Sequence, residues 1–105
     1  MSQDSNTKQE AAPNIAFVTF FGRDGNIIQS SGVSNVTKTG EGEYEVQFTT
    51  PFVNKYYSST GSLPAEGFIA CDSLSPTQLA VGTIAPAGNP ADFTTVSVIA
   101  VGNVS

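Results

Sequence analysis

Turn-forming residues cut the sequence from residue 15 onward into short pieces: Gly22-Arg23-Asp24-Gly25-Asn26, Ser30-Ser31-Gly32, Thr39-Gly40-Glu41-Gly42, Pro51, Ser73-Leu74-Ser75-Pro76, and the stretch from Ala85 to Asp92 with Pro86, Gly88, Asn89 and Pro90. The pieces between them lack apolar residues at i, i+3, i+4 and i+7, the spacing that gives a helix one buried face. Several instead alternate or are rich in β-branched and aromatic residues, which suits strands. A chain divided in this way is expected to be all-β.

The clearest piece runs from Glu43 to Thr50. Tyr44, Val46 and Phe48 alternate with Glu43, Glu45 and Gln47, so one face is apolar and the other carboxylate or amide, as in a half-buried antiparallel strand. Ile15-Ala16-Phe17-Val18-Thr19-Phe20-Phe21 is apolar at nearly every position and reads as a strand buried on both faces. The Asp24-Gly25 pair tolerates positive φ and predicts a hairpin between this strand and Ile27 to Gln29. Further strands are expected at Val33 to Lys38, Lys55 to Gly61, Gly67 to Asp72, Gln78 to Ile84 and Thr94 to Val101. About seven or eight short strands predict a compact antiparallel β-sandwich or a small barrel, and the pattern does not choose between them. Residues 1–13 are polar, hold three of the thirteen charged residues and show no apolar period, so they read as a flexible N-terminal tail or attachment segment before a single domain over 14–105.

Composition narrows the function. With 4 Lys and Arg against 9 Asp and Glu in 105 residues, the net charge is −5, so rows of phosphates are repelled and nucleic acid is not an expected partner. There is no His and only one Cys, which removes His-based triads, His-ligated zinc and multi-Cys metal sites. No metal or cofactor is expected. No apolar run reaches the roughly 20 residues of a membrane-spanning helix, and the first residues lack the basic and apolar regions of a signal peptide, so synthesis in a cytoplasm is expected. Charged residues make up 12% of the chain, about half the usual share, leaving Ser, Thr, Asn and Gln to keep the surface wet. A domain of this size buries about 65% of its unfolded surface, a modest core that would gain from subunit assembly.

A hydrolase built from this chain would need two converging carboxylates among Asp24, Glu41, Glu43, Glu45, Glu66, Asp72 and Asp92. Their positions on polar strand faces and in Gly-containing turns are those of solvated side chains, with Asp72, after an apolar strand, the most enclosed and Asp92 in a loop. No catalytic residue is assigned. Asp24-Gly25-Asn26 lacks the later ligands of a calcium loop and reads as a turn. Cys71, within Phe68-Ile69-Ala70-Cys71, reads as a small buried apolar residue. Binding or subunit contacts are expected instead at Tyr56 and Tyr57, which would point to opposite sides of one strand, and at Asn89, Asp92 and Phe93 in and after the loop from Ala85.

The order Ala16-Phe17-Val18-Thr19-Phe20, Gly25-Asn26-Ile27-Ile28, Ser31-Gly32-Val33, Val36-Thr37 and Gly42-Glu43-Tyr44-Glu45-Val46-Gln47-Phe48-Thr49-Thr50-Pro51, closed by Thr95-Val96-Ser97-Val98-Ile99-Ala100-Val101-Gly102, resembles a small β module of tailed-bacteriophage virion structural proteins. Phe17 stands where the module usually has Trp, and Gly32 where it usually has Asn. The resemblance covers residues 16–57 and, more loosely, 95–102. It implies a non-enzymatic virion protein, either a short tail fibre or tip adhesin used in host attachment, or a capsid decoration subunit. Its implied partners are other virion proteins, further copies of itself (a homotrimer by family habit) and a host surface glycan or receptor. A free-standing binding module and a carbohydrate-acting enzyme are the readings from other classes.

Overall fold

The computed structural model describes residues 12–104, and all regular structure among them is β. In chain order the strands are β1 (Ala12–Phe21), β2 (Ile27–Ser31), β3 (Val33–Gly40), β4 (Glu43–Phe48), β5 (Ser58–Ser62), β6 (Phe68–Ser75), β7 (Gln78–Ile84) and β8 (Thr95–Val104). They form two four-stranded antiparallel sheets, ordered β2-β1-β8-β5 in sheet I and β3-β4-β7-β6 in sheet II. The fold is a β-sandwich, which resolves the choice the sequence left open.

Each sheet is built from local pairings joined by one longer-range pairing. The Asp-Gly turn makes the β1–β2 hairpin as expected: Gly25 N–H donates to Phe21 O at 2.8 Å, and the Asp24 carboxylate accepts the Asn26 N–H at 2.9 Å. The chain then crosses at Gly32 into sheet II, where the turn expected over Thr39 to Gly42 shrinks to Glu41-Gly42, with Gly40 paired to Glu43 at the end of β3. β6 and β7 form a third hairpin, and β8 enters sheet I between β1 and β5. Alternation sends Ala16, Val18, Phe20, Val96, Val98 and Ala100 inward from sheet I against Val36, Tyr44, Val46, Phe48, Leu79 and Val81 of sheet II. Phe52 and Tyr57, from the segment between β4 and β5, close one side of this core. They stack at 4.5 Å between ring centroids, and both meet Phe48 edge-on.

Several expectations need correction. β1 is not buried on both faces: Ile15 is 55% and Phe17 40% exposed, because sheet I packs against sheet II on one side only. The strand expected from Lys55 begins at Ser58, since the Asn54 side chain bends the backbone by accepting the Tyr56 N–H at 2.9 Å. The turn placed at Ser73 to Pro76 shrinks to Pro76-Thr77, with Ser73 and Ser75 paired in the β6 ladder. Asp72 therefore lies exposed on a strand, and Cys71 is half-buried near the sheet edge. The last strand continues to Val104 because β1 already begins at Ala12 and offers it a partner over its whole length. Apart from its last two residues, the polar segment read as a tail lies outside the described residues.

Candidate functional site

Three regions hold side chains that the fold alone does not use up. The first is the outer face of sheet I. The register sets Phe17 beside Ile99 and Ile15 beside Val101 on the two central strands, all four between 38% and 55% exposed. Ser31, Thr60 and Ser58 flank these rows on the edge strands, and Gln29, Thr19, Ser97 and Ser62 continue the face below them. A shallow concavity of about 290 Å³ lies over Phe17, Thr19, Thr60, Ser97 and Ile99. The outward positions of the four strands are uncharged, and the nearest guanidinium, that of Arg23, sits at the rim 4.7 Å from the centre of the Phe21 ring. The outer face of sheet II differs: Glu43, Glu45 and Asp72 line a cleft of about 250 Å³ over Ala80 and Gly82.

The second region is the end of the sandwich where the turn after β1, the turn before β4 and the loop before β8 meet. Asp92 Oδ1 accepts from Lys38 Nζ at 2.6 Å and from Gly42 N–H at 2.8 Å, and lies 3.3 Å from the Tyr44 hydroxyl. That hydroxyl, on a buried side chain, donates to the Gly22 carbonyl at 2.6 Å. Asp92 is thus no free loop carboxylate. Its side chain is 32% and that of Lys38 22% exposed. The Lys38 hydrogen bond holds the Asp92 carboxyl below its ordinary range, against the opposing effect of burial, and the Gly42 N–H adds to the effect. For Lys38, burial works against the charge, but the hydrogen bond and charge of Asp92, together with Tyr44, outweigh it and raise the ammonium. Burial raises the Tyr44 phenol. Phe93 also packs against the core, while Asn89 remains exposed, using its carbonyl to accept the Ala85 N–H at 2.8 Å.

A depressed carboxyl stabilises the fold above its unfolded pKa, and that contribution is lost as pH falls through the folded value. The raised Lys38 contributes below its unfolded pKa and loses its share only as pH climbs past the folded value. Asp92→Asn is therefore expected to cost about 1 kcal/mol near neutral pH, scaled down for partial exposure. The gap between variant and wild type should begin to narrow at about pH 4, where the unfolded carboxyl takes up its proton, and close once the pH has fallen through the lower folded value. Urea midpoints of both proteins between pH 2 and pH 8 check this, and a gap independent of pH would assign the loss to packing.

The third region surrounds Tyr56 and Tyr57, which the structure separates sharply. Tyr57 is buried, with its hydroxyl 2.6 Å from the Gln78 carbonyl and 3.0 Å from that of Ser75, and burial raises its phenol pKa. Tyr56 is 81% exposed. Of the contact residues expected from the sequence, Tyr56 and Asn89 lie exposed, while Tyr57, Asp92 and Phe93 make contacts within the fold. Sequence reasoning missed the outer face of sheet I. Its signal was present in the register of Phe17 with Ile99, but that register appears only once β8 is known to lie beside β1.

Of the carboxylates weighed for hydrolysis, Glu43, Glu45 and Asp72 share the cleft on the outer face of sheet II, while Asp24 and Asp92 lie elsewhere. Asp24 lies in the first hairpin turn, where it also meets Arg23 at 3.6 Å. Glu45 and Asp72 lie in one cross-strand row on either side of Ala80, about 10 Å apart at two strand spacings, on an open sheet surface. Asp92 is held by Lys38 at the sandwich end. Among the described residues no three of His, Cys, Asp and Glu gather as a metal-binding group. Burial raises the Cys71 thiol, which disfavours the reactive thiolate. No family model, curated protein or solved structure matches the chain.

Proposed function

We propose that this chain is a non-enzymatic structural subunit of a tailed-bacteriophage virion, a short tail fibre or tip adhesin, and that it assembles with copies of itself through the outer face of sheet I. The phage assignment draws on the sequence resemblance. The assembly reading is carried by one observation: in a protein of net charge −5, the outer face of sheet I sets Ile15, Phe17, Ile99 and Val101 in the open on two central strands with no charge among them. Contiguous apolar surface bordered by polar side chains is what interfaces expose before they form. An acidic protein also meets least self-repulsion where charge is missing, whereas the Glu43, Glu45 and Asp72 strip of sheet II would repel its own image.

Strand spacing and rise give the uncharged face a footprint of about 500 Å², below the roughly 800 Å² per partner of a standard interface. A closed ring of three copies with this face turned toward the axis, the number the resemblance implies, removes it from water in every copy.

The test is the solution mass of the full chain by light scattering across a concentration series, for wild type, Phe17→Lys and Ile99→Lys. The expected result is a mass near three times the 10.9 kDa chain, with either variant shifting the association midpoint at least about a hundredfold to higher concentration while circular dichroism stays that of the wild type. A monomer at all concentrations overturns self-assembly and favours a capsid decoration subunit, which would assemble only on a preformed lattice. An oligomer indifferent to both substitutions places the interface elsewhere.

A further inference from the structure

Tyr56 is a large aromatic side chain left 81% exposed on a short segment that is nevertheless held on both sides. Its N–H is fixed by the Asn54 side chain at 2.9 Å. The next residue, Tyr57, is anchored by its hydroxyl to the Gln78 and Ser75 carbonyls and by its ring to Phe52. The backbone that carries the Tyr56 ring is therefore set before any ligand arrives, and little further ordering is needed on binding.

Two clefts adjoin the ring. One, of about 320 Å³, is lined by Asn54, Ser58 and Asn103 together with Val53 and Val101. The other, of about 370 Å³, offers Lys55, Asp72 and Ser73. Both volumes lie at the small end of ligand sites. The Lys55 ammonium lies 5.7 Å from the centre of the Tyr56 ring, close to the outer limit of cation–π attraction and readily displaced.

The composition of the clefts selects a ligand. Two amides, two hydroxyls and one charge of each sign do not suit an apolar ligand, and a single cation beside a carboxylate does not suit a phosphate chain. An exposed aromatic face bordered by amides and hydroxyls suits a molecule with an apolar face of C–H groups and a rim of hydroxyls. We infer that Tyr56 and the two clefts beside it form a binding site for an uncharged pyranose, one or two residues of a saccharide chain. The sugar ring lies on Tyr56, and its hydroxyls exchange hydrogen bonds with Asn54, Asn103 and Asp72. This names the ligand class for the attachment role proposed above and rests on that reading for the source of the saccharide.

The test titrates the isotopically labelled full chain with the methyl glycosides of glucose, galactose, mannose and N-acetylglucosamine, each to about 100 mM, since single sugars bind in the millimolar range, and follows amide shifts by NMR. At least one glycoside is expected to give saturable shifts confined to residues 53–58, 72–73 and 101–103. Tyr56→Ala should weaken that binding by about tenfold or more, and Tyr56→Phe, which keeps the ring, should stay within about twofold. Absence of saturable shifts with all four glycosides overturns the site, as does binding indifferent to Tyr56→Ala. The first cleft shares Ser58 and Val101 with the outer face of sheet I, but Phe17 and Ile99 line neither cleft, so light scattering of their variants and the sugar titration of the Tyr56 variants read separate outcomes.

Discussion

Gly22→Ala is expected to remove a large part of the stability of the fold. A Cβ at this position would fall 1.9 Å from the Phe93 carbonyl oxygen and 2.9 Å from the Phe93 carbonyl carbon and amide nitrogen. All three are backbone atoms of the segment that feeds β8, so no side chain can swing aside. Nor can the segment move away, because the Gly22 N–H donates to Thr94 O at 3.3 Å and the Gly22 carbonyl accepts from Tyr44. Displacing Phe93 by an ångström or more would pull on neighbouring Asp92 and with it Lys38 and Gly42. A loss of about 4 kcal/mol or more is expected, against a total stability of roughly 5 to 15 kcal/mol for a domain. Urea unfolding followed by far-ultraviolet circular dichroism checks it, and a variant within about 1 kcal/mol of wild type would show that the contact is not rigid.

Tyr44→Ala is expected to cost about 3 to 5 kcal/mol, as for other large aromatic truncations in a core. The side chain is 1% exposed and meets the Phe20 ring edge-on at 4.9 Å, so it joins the inner faces of the two sheets. Tyr44→Phe separates the ring from the hydroxyl. It keeps the packing but leaves the Gly22 carbonyl without its donor in a buried position, a loss of about 1 to 3 kcal/mol. Chemical denaturation of both variants gives the two parts. Equal losses would mean that the hydroxyl carries the whole effect, while a neutral Tyr44→Phe would mean that the network around Asp92 adds nothing to the sandwich.

How much of this was legible in the sequence depends on the range of the interaction. Local patterns were readable: the alternation at Tyr44, Val46 and Phe48 places all three inward, and Asp24-Gly25 makes the hairpin it predicts. Long-range partners were not. Ile15 and Phe17 look like core in a one-dimensional reading, because an apolar run carries no mark of which face meets the other sheet and which meets solvent. Asp92 reads as a loop carboxylate, since its partners Lys38, Gly42 and Tyr44 lie about fifty residues away in the chain. Of the adjacent tyrosines, only three-dimensional placement separates the anchored Tyr57 from the presented Tyr56. The difference arises from the bend at Asn54, which sequence reasoning had absorbed into a strand.

The position of β8 between β1 and β5 also governs the order in which the chain can fold as it leaves the ribosome. All four strands of sheet II have emerged by Ile84, whereas the last strand of sheet I, which pairs Ala12 with Val104, is made at the far end of the described residues. Until then the β1–β2 hairpin shows the bare hydrogen-bonding edge of an Ala-Phe-Val-Thr-Phe-Phe segment, and β5 has no neighbour in its sheet. Such an edge can recruit strands from other nascent chains. A polysome crowded with copies that have not yet made β8 is therefore the setting in which this fold is most exposed to misassembly, and the docking of β8 between β1 and β5 is the event that ends the hazard.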